Sequence, residues 1–261
     1  MPMAFRSVIL ALLLVPLAAP AALIRETIEY QDGETTLKGY LVYDEALPHK
    51  RPGVLIAHEW WGLNDFVRER ADRLADLGYV AFALDMYGDG RVTAHGDEAS
   101  AWMQQVTANE AAWRQRATLG LEVLGRHPAV DPERLAAIGF CFGGGTVLQL
   151  AYAGADLDGV VSFHGPLTPA SDVEPGGITT SILVAHGEDD TFVPPQRIAA
   201  FKAALDAADA DWQMVIYGGA QHAFTNPGAD DYGIDNVRYD ARAAERSWAM
   251  MRLFLKEVFT R

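Results

Sequence analysis

Leu135-Ala136-Ala137-Ile138-Gly139-Phe140-Cys141-Phe142-Gly143-Gly144-Gly145 is an apolar run that breaks into glycines around a single cysteine. The run Leu135 to Ile138 predicts a buried strand, and Gly143 to Ala153 a helix, so the cysteine falls at a strand-to-helix turn. Gly-x-Cys-x-Gly at such a turn is a cysteine version of the nucleophile elbow. The turn strains its central residue and crowds the backbone two residues to either side. Glycine at 139 and 143 removes the Cβ atoms that would collide. Cys141 then lies at a helix N-terminus, where free N–H groups and the helix dipole favour a thiolate.

Outward from this turn, short apolar runs alternate with helical patterns. Gly53-Val54-Leu55-Ile56-Ala57, Tyr79 to Leu84, Gly159 to Phe163, Ile182 to Ala185 and Gln213 to Tyr217 read as strands, the continuous runs being typical of burial on both faces. Asn64 caps a helix whose apolar face is Phe66, Val67, Ala71, Leu74 and Leu77, closed by Gly78. Asp97 to Leu124 reads as helical with a break near Thr107–Asn109 or at Gly120, and Arg197–Ala208 and Asp240–Val258 as two more helices. Ile24–Gln31 and Thr35–Tyr43 form a hairpin through Asp32-Gly33. The alternation predicts one α/β domain with a mostly parallel sheet covered by helices on both faces. In such sheets ligands bind beyond the carboxyl ends of the strands, which makes the residues after each apolar run the candidates for chemistry.

Three acids, Glu188, Asp189 and Asp190, follow the strand that ends at Ala185. His222 follows the strand that ends at Tyr217. Nucleophile, acid, histidine is the chain order of an α/β-hydrolase triad. The strand ending at Ala57 leads into His58-Glu59-Trp60-Trp61-Gly62. His-Glu would suggest zinc only with a second histidine at helical spacing, and position 62 is glycine. No metal or other cofactor is therefore expected. In this fold the loop after that strand donates a backbone N–H to the oxyanion hole, here Trp60 N–H paired with Phe142 N–H.

The set His58-Glu59-Trp60-Trp61-Gly62, Asp85-Met86-Tyr87, Gly139-Phe140-Cys141-Phe142-Gly143-Gly144, Asp190-Thr191-Phe192-Val193-Pro194 and His222-Ala223-Phe224 resembles the dienelactone hydrolase family of α/β-hydrolases. The resemblance runs from the hairpin to the closing helix. It implies a Cys141–His222–Asp190 triad, with Asp190 preferred to Asp189 because the family's acid lies three positions before Val-Pro. It also implies that Glu59 contacts the resting thiol and controls its activation. The family's archetype binds the substrate carboxylate with two arginines, and here those positions hold Asp89 and Asn226. Arg91 is near enough in sequence to compensate in part. The expected reaction is hydrolysis of a small ester or lactone through a thioester, in an open pocket lined by Trp60, Tyr87, Phe142 and Phe224. The Gly165–Thr180 loop is too short for a large lid. The rival readings are a peptidase or amidase on the same fold, and an exported non-catalytic binding protein.

The 261 residues carry a formal net charge of −14, half are hydrophobic and 21% are charged. This excludes wholesale disorder and argues against nucleic acid or anionic membrane as partners. One cysteine cannot close an intramolecular disulfide. Arg6, the apolar run Val8–Val15 and Ala19-Pro20-Ala21 read as a secretory signal peptide over residues 1–21, leaving a domain over 22–261 in the periplasm or outside the cell.

Overall fold

Within β3 (Arg51–Ala57), Val54 and Ile56 face one hydrophobic core while Leu55 and Ala57 face another. Side chains alternate across a strand, so an uninterrupted apolar run is what a sheet covered on both sides requires. The computed structural model describes residues 23–47, 49–171 and 173–261. The signal-peptide reading of residues 1–21 lies outside the described residues.

The chain starts with the expected hairpin, β1 (Leu23–Asp32) and β2 (Thr35–Asp44). Asp32 pairs with Thr35, so the turn is Gly33-Glu34, one residue later than the sequence suggests, with Gly33 at φ +59°. After β3 come α1 (Asp65–Asp76) and β4 (Val80–Ala83). Asn64 caps α1 by accepting the Val67 N–H at 3.4 Å, a contact type that stabilises a helix by ~1 kcal/mol. The long helical stretch breaks where expected, into α2 (Gly96–Thr107) and α3 (Glu110–Gly125). Asn109 starts α3 by accepting the Ala112 N–H at 3.1 Å. The other expected break point, Gly120, lies inside α3, where a Cβ would sit 3.0 Å from Leu84 Cβ.

Then follow β5 (Val130–Phe140), α4 (Phe142–Tyr152), β6 (Gly159–Phe163), β7 (Ser181–Gly187), α5 (Pro195–Ala207), β8 (Trp212–Tyr217) and α6 (Ala241–Val258). They build one eight-stranded sheet in the order β1-β2-β4-β3-β5-β6-β7-β8, antiparallel only where β2 meets β1 and β4. Helices α3, α4 and α5 cover one face through residues such as Leu124, Val147 and Phe201. Helices α1 and α6 cover the other through Val67, Leu74, Met251 and Leu255. Each large apolar side chain moved out of water this way contributes roughly 1.5–3 kcal/mol. The six parallel strands end on one edge, and every candidate site residue follows one of those ends. No helix or strand occurs among the described residues of the 165–180 loop.

Candidate active site

Cys141 occupies the turn between β5 and α4 at φ 52° and ψ −118°. A left-handed conformation in a non-glycine residue costs on the order of 1–3 kcal/mol and persists only where its surroundings hold it. Here its N–H donates to both Phe163 O at 3.0 Å and His164 Nδ1 at 3.1 Å, which ties the turn to the end of β6. A Cβ on Gly139 would lie 2.0 Å from Gly143 O, and one on Gly143 would lie 2.1 Å from Ala57 O. Both glycines are therefore required by the elbow and by its closeness to β3.

Asp190 and His222 come from the loops after β7 and β8. His222 Nδ1 and Asp190 Oδ2 are 2.8 Å apart, and the Asp190 side chain is fully buried. Asp189 is exposed and its hydrogen bonds run through its backbone, so the carboxylate that meets the histidine is that of Asp190. Asn236 locks these loops together. Its Oδ1 accepts the Thr191 N–H at 2.8 Å, its Nδ2 donates to Asp189 O at 2.8 Å, and its carbonyl accepts the His222 N–H at 3.0 Å. Burial works against a charged His222, but the nearby Cys141 sulfur and Asp190 carboxylate outweigh it and push the imidazole up to about 10. The arrangement stabilises an imidazolium between the two.

The loop after β3 supplies the opposite wall. The Trp60 carbonyl accepts the Tyr87 hydroxyl at 3.0 Å. Neither Trp60 N–H nor Phe142 N–H has an acceptor among the described residues, so both can donate to a bound oxygen. His58 is fully buried, which pulls its pKa down and keeps it neutral. Its Nε2 accepts the Met86 N–H at 3.2 Å, so Nδ1 carries the proton donated to Glu59 O. The Asp85 carboxylate accepts N–H groups from Lys38, Tyr87, Gly88 and Gly90 at 2.8–3.0 Å, fixing the loop that carries Tyr87.

The residues at the two arginine positions and the expected aromatic lining are placed as follows. Asp89 lies on an exposed turn at φ 55°, with its carboxylate 3.6 Å from Lys38 Nζ, drawn to the hairpin by that charge. Asn226 is buried and donates to Glu59 Oε2 at 2.6 Å, so its amide is already engaged. Phe224 is fully buried against His164 and Tyr217 and belongs to the core. Tyr87 and Phe142 stack at 5.8 Å, both buried, so they form the floor under the site and leave Trp60 as the accessible ring of the expected lining. Glu59 is buried too, which raises its carboxyl to about 7, and the hydrogen bond it makes is to Asn226. Arg91 turns its guanidinium to the carbonyls of Tyr87 and Gly88 and lies 4.9 Å over the Trp102 ring.

Two residues at the site were not expected. His164 is fully buried at the end of β6, accepts from Cys141 through Nδ1, and so carries its proton on Nε2, 2.8 Å from Thr225 Oγ1. Burial, reinforced by the charge on His222, drives its pKa well down. The strand-end rule that led to His222 applies equally to His164. Phe192 is half exposed with its ring 5.0 Å from that of His222. Among the described residues no group of three or more His, Cys, Asp or Glu side chains is placed to hold a metal.

The dienelactone hydrolase family model matches residues 37–259. The structure of a dienelactone hydrolase-like promiscuous phosphotriesterase from metagenomic libraries is 42% identical, covers 92% of this chain and all of its own, and superposes with a TM-score of 0.89. Protein usf of Aquifex pyrophilus is 28% identical, over 90% of this chain and 99% of its own. A protein of Aquifex aeolicus (strain VF5) with a provisional carboxymethylenebutenolidase name is 27% identical over 88% and 97%.

Proposed function

This chain belongs to the dienelactone hydrolase family and is an ester or lactone hydrolase acting on small molecules; we propose that it works through a thioester on Cys141. The Cys141 thiolate attacks the carbonyl carbon, and the oxygen becomes an oxyanion between Trp60 N–H and Phe142 N–H. The His222 imidazolium gives its Nε2 proton to the departing alkoxide as the C–O bond breaks. His222 then takes a proton from water, whose oxygen attacks the thioester, and the thiolate leaves. Asp190 keeps the tautomer and orientation of the ring throughout. The observation that carries this reading is the strained Cys141 turn facing a histidine that Asp190 holds at 2.8 Å. The engagement of Asn226 with Glu59 and the surface position of Asp89 support a site without the carboxylate clamp. A panel of esters and lactones with wild type and Cys141→Ala tests it: the variant loses turnover on every substrate that wild type cleaves. Turnover retained by Cys141→Ala sinks the thioester.

A second reading is supported by the 42% identical phosphotriesterase. A neutral phosphate triester offers an electrophilic phosphorus and a P=O oxygen that the same N–H pair can hold. Adding one such triester to the panel tests this. For residues 1–21 we propose removal on export to the periplasm or medium, tested by mass spectrometry of the mature N-terminus.

A further inference from the structure

Phe192 is unusual among the aromatic side chains near Cys141 and His222. Tyr87, Phe142 and Phe224 are buried, while Phe192 leaves 50% of its surface in water. Its ring stands edge-on to His222, 69° between planes and 5.0 Å between centroids. Its backbone is held in place. Its N–H donates to Asp190 Oδ1 at 3.0 Å, the carboxylate whose other oxygen orients His222, and Asn236 binds the residues on both sides of Asp190. What sets it apart from the chain's other exposed hydrophobes is that its open apolar surface lies beside His222.

Its place beside the histidine says which part of a substrate it meets. The acyl carbon must lie at Cys141, with its oxygen at Trp60 N–H and Phe142 N–H. The alkoxide must lie where His222 Nε2 can protonate it. A group flanking His222 therefore touches the leaving alcohol, while the loop after β3 flanks the acyl part. We propose that Phe192 is the leaving-group subsite and selects esters of aromatic or bulky apolar alcohols. The proposal rests on the thioester reading above and names the alcohol half of the substrate. An aromatic alcohol can stack on the open half of the ring, and the anchored backbone keeps that surface beside His222.

Benzyl acetate and ethyl acetate test it, because they share an acyl group and have leaving alcohols of similar basicity. In wild type and in Phe192→Ala and Phe192→Leu, acylation is read as kcat/KM and deacylation from single-turnover decay of the acetyl-enzyme. Phe192→Ala lowers the benzyl-to-ethyl ratio of kcat/KM about tenfold relative to wild type, and Phe192→Leu by less. Deacylation has no alcohol left to bind and does not follow the benzyl loss. An equal loss on both esters, with deacylation falling in step, makes Phe192 only a cover for His222 and overturns the proposal. An unchanged ratio overturns it as well. Failure of wild type to cleave benzyl acetate overturns it too, whereas full activity in Cys141→Ala strikes the thioester reading instead.

Discussion

Asn226 donates its side-chain amide to Glu59 at 2.6 Å, inside a site where both residues are buried. The amide stabilises the ionised carboxylate, while burial opposes it and raises the group to about 7. Removing the donor by Asn226→Ala should raise Glu59 further and cost roughly 1.5–3 kcal/mol where the carboxylate is ionised. Urea melts at pH 5 and pH 8 check this: the loss is larger at pH 8. An equal loss at both would mean that the amide does not act on the charge.

Glu59 also makes wild-type stability depend on pH with a definite sign. Its folded value is raised, so folding favours the protonated form. Its contribution is fully present below about 4.5 and is lost as pH rises through about 7. The change across that window is on the order of 3 kcal/mol. Glu59→Gln can still accept from Asn226 but does not titrate. The variant should therefore lack this slope and gain on wild type as pH rises from 5 to 8. Parallel melting curves for the two proteins across that range would refute the assignment.

His222 is pushed up to about 10 even though burial alone would lower it, with Cys141 the largest raising influence and Asp190 next. Its proton should stay bound through neutral pH, and the stability it contributes is lost only as pH climbs from about 6.5 towards 10. In Cys141→Ala the midpoint should fall, by roughly one unit or more. Histidine ring nitrogen shifts followed by NMR across pH 5 to 11 report it directly. The same midpoint in both proteins would show that the thiol does not face the ring.

The strand ends carried most of what could be read without coordinates. Cys141, His222 and the acidic cluster each follow an apolar run, and the glycines at 139 and 143 mark the elbow because backbone oxygens occupy the space of their Cβ atoms. The side-chain network was harder to read. Asn226 and Glu59 are 167 residues apart, and nothing local to either predicts their contact. Phe224 and Phe192 are aromatic neighbours in sequence of His222 and Asp190, yet one is core and the other half exposed. That difference is set by the packing of His164 and Tyr217 around Phe224, a tertiary fact. His164 obeys the strand-end rule but falls outside the nucleophile, acid, histidine order, which is why the sequence alone does not single it out.

Asn236 joins the acid loop to the base loop through one side chain and one carbonyl. It sits at φ 66°, so Asn236→Gly keeps the backbone conformation and removes only the amide. With Asp190 less firmly placed, His222 should be misaligned in a fraction of molecules. The expected result is a fall in kcat/KM of roughly ten- to a hundredfold with the fold retained by circular dichroism. Activity within about twofold of wild type would show that β7 and β8 position the pair unaided.

A charge preference follows from how the described residues at the two clamp positions, and Arg91 beside them, are engaged. Asp89 is drawn away to Lys38, Asn226 is committed to Glu59, and Arg91 donates to the carbonyls of Tyr87 and Gly88. The chain's formal charge of −14 adds a general repulsion of anions. The dimethyl ester of a short diacid should therefore be cleaved with a kcat/KM roughly tenfold or more above that of its monomethyl anion, and the gap should narrow as salt screens the repulsion. Asn226→Arg should not close it, because the new guanidinium would pair with Glu59 before it met a substrate carboxylate. Preference for the monoanion at low salt would mean that Arg91 leaves its carbonyls when substrate arrives, and that the clamp has moved.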